Sequence, residues 1–179
     1  MPDFQWMGDS GILFGMNGER DNLVEAIQSS GCKAAIVMAG GGSEALHALL
    51  SHPGASRFVL EAQVPYSPEA MFDYLGEKLD QFCSAKAATT MAERAFERAL
   101  VFSLSSRVPF PILGVSCTAA LQTNRERKGS DRAFACIKSR KKEIVRELEL
   151  VPGSRIEQEA AVSSALLNML AQFVEEENA

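Results

Sequence analysis

"IVMAGGGSEAL", residues 36–46, decides how the chain is read. An apolar run enters three glycines, and "SEAL" then opens a helix. Taken back to Lys33, "KAAIVMA" (33–39) follows the turn signal Gly31 and predicts a short buried parallel strand. Each of Gly40, Gly41 and Gly42 would cost roughly 1 kcal/mol inside a helix, so three together need a reason. One reason is close approach of a ligand phosphate to backbone N–H groups at a helix N-terminus. The other is a tight turn in which Ser43 only caps the helix. The spacing matches neither GxxxxGK[ST] nor GxGxxG, so both readings stand.

Outward from that junction, helices and strands alternate. Asp21 to Ser29–Ser30 predicts a helix with Leu23, Val24 and Ile27 on one face, stopped by Gly31. A helix runs from Ser43 to about His52. "RFVLEAQV" (57–64) predicts a second strand, ended by Pro65, and Ser67–Pro68 opens a short helix. Ser84 caps a long helix to about Ser103, with Ala88, Met91, Ala92, Ala95, Phe96 and Leu100 on one face. "FPILGVSC" (110–117) is the third strand. "RAFACIKS" (132–139) and "KEIVRELEL" (142–150) form an antiparallel pair about Arg140–Lys141, and a last helix runs to about Glu175. Strands alternating with helices argue for an α/β layered sheet of about five strands, mostly parallel. Residues 1–19, with glycines at 8, 11, 15 and 18, are expected to form an irregular arm. Residues 20–179 are expected to form one domain.

Composition excludes several function classes. The 179 residues carry 18 basic and 23 acidic side chains, a net charge of −5, which argues against nucleic acid as partner. No apolar run approaches the roughly 18 residues that span a membrane, and the start lacks a signal peptide's pattern, so the cytoplasm is expected. Cys32, Cys83, Cys117 and Cys136 form no CxxC pair, and His47 and His52 miss the i, i+4 register, so neither metal nor cofactor is expected.

A second candidate constellation is "SCTAALQTNRERKGSDR" (116–132), following a strand end where open α/β sheets hold ligands. It offers Ser116, Thr118, Thr123 and Ser130 as hydroxyls and Arg125, Arg127, Lys128 and Arg132 as cations. This is the chemistry of phosphate or carboxylate recognition, unless the segment is only a solvated loop. Cys117 could act as a nucleophile, although no histidine stands in a partner position. Tyr66, beside Ser67 in a turn after a strand, could stack on a base or pyridine ring, or sit at the core edge.

Taken together, these stretches resemble the CinA C-terminal domain family, the nicotinamide-nucleotide amidohydrolases, over roughly residues 23–175. "HPGASRFVLEAQVPYSPEAM" (52–71) is similar to that family's Pro-Gly-Ala-Ser to Tyr-Ser-Asn-Glu stretch. "CSAKAATTMAERA" (83–95) resembles a helix start in the family, and "PGSR" (152–155) lies where the family has Gly-Asp-Arg. The resemblance implies a three-layer α/β/α sandwich with a mixed, mostly parallel sheet, and a pocket for nicotinamide mononucleotide, to which Tyr66, Ser67 and Arg155 carry over by position. It also places Ala39 where the family has its serine nucleophile, and Met71 where it has a lysine. A methyl cannot attack an amide, and a thioether cannot take a proton. The expectation is therefore a binder of a pyridine nucleotide, or another phosphate-bearing small molecule, through Gly40–Ser43, Tyr66, Ser116–Thr118 and the basic loop. It would be weak or inactive as an amidohydrolase. The alternatives are an active hydrolase with a relocated nucleophile (Ser43, Ser116 or Cys117, with Tyr66 or Lys128 carrying the proton) and a regulatory module. A homo-oligomer is expected in each case.

Overall fold

The computed structural model describes residues 10–104, 109–124 and 129–178, with side chains from residue 18 onward. Its elements are α1 (Ser10–Ser29), β1 (Lys33–Ala39), α2 (Ser43–Ser51), α3 (Ala55–Phe58), β2 (Val59–Gln63), α4 (Pro68–Leu75), α5 (Ala85–Ser103), β3 (Ile112–Ala120), β4 (Arg132–Lys138), β5 (Glu143–Glu149) and α6 (Arg155–Asn178). The sheet order is β2-β1-β3-β4-β5. β2 and β3 both lie parallel to β1, and β4 is antiparallel to β3 and to β5. Four of the five strands therefore point the same way, and the mixed, mostly parallel three-layer sandwich is borne out.

Period-two alternation builds the layers. On β1, Ala34, Ile36 and Met38 face a core shared with α1, α2 and α6, while Ala35, Val37 and Ala39 face α4 and α5. Covered on both faces, β1 is apolar throughout. β3 carries Gly114 because α5 lies directly on it: a Cβ there would stand 2.1 Å from the Ala92 carbonyl oxygen. The alanines of α5 (Ala88, Ala92, Ala95 and Ala99) are buried and allow that approach. Ser84 and Ser67 cap α5 and α4 by accepting from the Ala87 and Ala70 amides, at 3.1 and 3.2 Å. β5 closes one edge with Glu143, Arg146, Glu147 and Glu149 exposed, charges that discourage a further strand from pairing.

Three sequence expectations are corrected. The irregular arm and the helix opening at Asp21 give way to one helix from Ser10, which runs through residues 11, 15 and 18. Val24 and Ile27 bury against the core, and Gln28 donates to the Leu49 carbonyl, so docking outweighs the helix penalty of glycine. Residues 1–9 of the expected arm lie outside the described residues. The first part of the expected second strand is instead the short turn α3, so β2 begins at Val59. The third strand does not stop at Cys117 but continues to Ala120, held by β4 from Gly114↔Lys138 to Ala120↔Arg132.

Candidate functional site

The carboxyl ends of β1 and β2 open onto a cavity of about 220 Å³. Gly40, Gly41, Ser43, Tyr66, Arg155 and Glu159 are among its lining residues. The turn above β1 is packed closely against β3. Gly40, at φ +80°, lies so close to β3 that a Cβ would meet the Ala119 carbonyl oxygen at 2.1 Å. A Cβ on Gly41 would meet the Ala119 Cβ at 2.9 Å, and one on Gly42, at φ +90°, would meet Cys117 Sγ at 3.2 Å. The glycines are thus accounted for by the neighbouring strand.

The N-terminus of α2 already holds an anion from within the chain. Glu159, in the second turn of α6, accepts from the Gly42 amide at 3.0 Å, the Glu44 amide at 3.1 Å and the Ser43 hydroxyl at 2.9 Å. Ser163, one turn further along α6, accepts from the Ala45 amide at 3.0 Å. The phosphate cradle expected of Gly40–Ser43 is therefore occupied by a carboxylate, which is what an unpaired helix N-terminus attracts. Glu159 was missed by sequence reasoning. It lies 117 residues from Gly42 and belongs to no local motif.

The structure brings only part of the second constellation to this cavity. Ser116, Cys117 and Thr118 are not a turn but the interior of β3, all but fully buried. Ser116 donates to the Ala88 carbonyl at 2.6 Å, and Thr118 donates to the Phe82 carbonyl at 2.8 Å. Burial pushes the Cys117 thiol up to about 12, with Glu159 and Cys83 adding to the shift. At neutral pH it is a protonated, enclosed thiol and supplies no nucleophile. Among the relocated-nucleophile candidates, Ser43 alone is exposed at the cavity.

Arg155 starts α6 and reaches across the strand end. Its guanidinium donates to the Gly40 carbonyl at 3.1 Å and the Gln122 carbonyl at 3.4 Å. The next buried turn of α6 brings Gln158, which accepts from the Gln122 amide at 2.7 Å and donates to Asp131 at 2.9 Å, pinning both ends of the loop between β3 and β4. Thr123 lies on that loop, exposed. Arg125, Arg127 and Lys128 lie outside the described residues. Arg132 is not at the cavity. On β4 it stacks over Phe134, donates to Gln81 and stands 3.9 Å from Glu147. Tyr66 is 70% exposed at the mouth, whereas Ser67 is engaged as the cap of α4.

Ala39 and Met71, the positions where the family resemblance puts a serine and a lysine, are both buried and belong to one apolar cluster with Val37, Leu75 and Met91. Positions 32 residues apart in sequence thus share one apolar cluster. Among the described residues no cluster of His, Cys, Asp or Glu could hold a metal ion. No described helix is long and apolar enough to cross a membrane.

A mixed sheet between two helical layers, with a cavity at the carboxyl ends of two parallel strands, defines a class of α/β domain. Solved structures of that class match this chain over most of its length. A competence/damage-inducible protein from Agrobacterium tumefaciens superposes with a TM-score of 0.68 at 22% identity, covering 86% of this chain and 95% of that one. CinA superfamily proteins from Klebsiella pneumoniae (TM-score 0.67, 12% identity, 88% and 97% covered) and Escherichia coli (0.64, 14%, 95% and 95%) do likewise. No family model and no curated protein sequence matches the chain. The chain has the fold of the CinA superfamily structures, as the sequence resemblance implied.

Proposed function

We propose that the protein binds a pyridine nucleotide, of the nicotinamide mononucleotide kind, at the carboxyl ends of β1 and β2, without hydrolysing it. The carrying observation is the cavity in which the exposed ring of Tyr66 and the guanidinium of Arg155 share the lining with Gly40, Gly41 and Ser43. Its volume, about 220 Å³, falls below the roughly 300 Å³ at which whole-ligand pockets begin. It suits the ring end of a nucleotide, with the phosphate at the rim where Arg155 is exposed. Glu159 holds the α2 amides, so the anion contact falls to Arg155 rather than to the glycine turn. Ala39 and Met71 remove the family's nucleophile and base, and burial withholds Ser116 and Cys117.

Calorimetry with nicotinamide mononucleotide, followed by an ammonia assay of the same cell, tests this reading. Binding without ammonia, weakened about tenfold or more in Arg155→Ala, is the expected result. Absence of binding by every pyridine nucleotide tried would overturn it.

One observation favours a second reading, an active hydrolase. The Ser43 hydroxyl donates to the Glu159 carboxylate at 2.9 Å, a serine and a base within reach of each other at the cavity. Ammonia release abolished by Ser43→Ala would establish it in place of the first.

Assembly and location belong to the same proposal. Val64, Tyr66 and Ile156, apolar and 53–77% exposed around the cavity, supply a surface for a second copy of the chain. Four free cysteines suit the reducing cytoplasm. Light scattering that gives the monomer mass would remove the second copy.

A further inference from the structure

We infer that the space between α6 and the β4–β5 hairpin is a second small-molecule site, one that takes a monocarboxylate with a compact apolar body. The cavity is about 210 Å³. It exists because the α6-facing side of β4 carries only methyl groups at Ala133 and Ala135, opposite Val162, Leu166 and Met169. Its inner wall is Cys117. An engineered apolar cavity of about 150 Å³ stays dry and admits benzene, so this one is large enough for a substituted ring or a short branched chain.

The mouth supplies the polarity. Ile144 and Leu148 of β5 pack on the α6 side, and Arg146 lies between them on the same face. Arg146 is exposed, lines the cavity and makes no hydrogen bond or ion pair among the described residues. Glu176 of α6 feels its charge but is bonded to Lys142 Nζ at 2.6 Å. Glu147 also lines the space, but it alternates onto the far face, where it approaches Arg132. An apolar chamber with one uncommitted guanidinium at its entrance matches a ligand with one carboxylate and no other polar group.

The test uses the full-length protein and benzoate as probe, with toluene as its neutral counterpart. Methyl NMR follows Ala133, Val162, Leu166 and Met169, and calorimetry gives the affinities. The expected result is that both probes move these methyls. Benzoate binding should then fall about tenfold or more in Arg146→Gln while toluene binding holds, since one charge-assisted contact is lost. Ala135→Leu, which fills the chamber, should abolish both. Arg146 is exposed and unbonded, so Arg146→Gln decides the matter even if Ala135→Leu fails to fold. Unmoved methyls at saturating benzoate, shifts confined to the Gly40–Ser43 cavity, or equal benzoate affinity with and without Arg146 would each overturn the inference.

Discussion

Gly40–Ser43 follows β1 and Ser116–Thr118 lies within the adjacent parallel strand β3, yet one opens onto the strand-end cavity and the other is buried away from it. The register decides between them. Val37 pairs with Ser116, Met38 with Cys117 and Ala39 with Thr118, so the second segment lies level with the interior of β1. The first stands one step beyond the strand end. Hydroxyls inside the sheet find carbonyl partners on and before α5, and a hydroxyl beyond it finds Glu159 and open space. Composition marks both segments as polar, but a polar group's distance from the strand end determines whether it is committed to packing or available to a ligand.

Substitution at the two segments tests that contrast, and the largest effect belongs to the exposed one. Gly40→Ala combines a left-handed φ of +80° with a Cβ 2.1 Å from the Ala119 carbonyl oxygen. It should destabilise by about 3 kcal/mol or more, read as a fall in the denaturation midpoint. A mild effect would mean that the turn is not pinned to β3.

The buried segment shows itself in alkali. Burial raises the Cys117 and Cys136 thiols from 9.0 to about 12, so between those values the unfolded chain loses protons that the folded chain keeps. The stabilisation is complete below pH 9 and declines as pH rises toward 12. The decline should reach about 1 kcal/mol per thiol by pH 10, and removing Cys117 (Cys117→Ala) should reduce the slope. A flat profile would mean that the thiols are open to water.

Glu159→Ala should cost about 1–2 kcal/mol and free the Gly42 and Glu44 amides. Added phosphate should then raise the melting temperature of the variant more than that of the parent at equal ionic strength. Equal responses would show that the carboxylate does not fill an anion position. Smallest of all, Ser43→Ala should change stability by about 0.5 kcal/mol or less, because its hydroxyl is exposed. Ser116→Ala should cost about 1 kcal/mol, since its hydroxyl bond is buried. Reversal of that order in chemical denaturation would break the comparison outright.

The strands and the caps were legible because their signals are local: "KAAIVMA", the Ser67 and Ser84 caps and the β4–β5 pair all stand where the pattern puts them. α1 was misread because its glycines argue against a helix, and only docking on α2 and α6 overrides them. The extent of β3 was misread because "TAA" (118–120) looks like the start of a polar loop until β4 is known to pair with it. Of the residues that line the strand-end cavity, Gly40, Gly41, Ser43, Tyr66 and Arg155 could be named from sequence. Glu159 could not, since its role depends on how α6 crosses the strand ends.

That crossing gives the molecule a natural clock. The Gly42 and Glu44 amides sit at the N-cap and in the first turn of one helix and end on a carboxylate carried by another. Their exchange with deuterated solvent is therefore set by how often α6 lifts from α2, not by fraying of α2 itself. Two backbone protons, followed with time, report the breathing of a helix more than a hundred residues away in the chain.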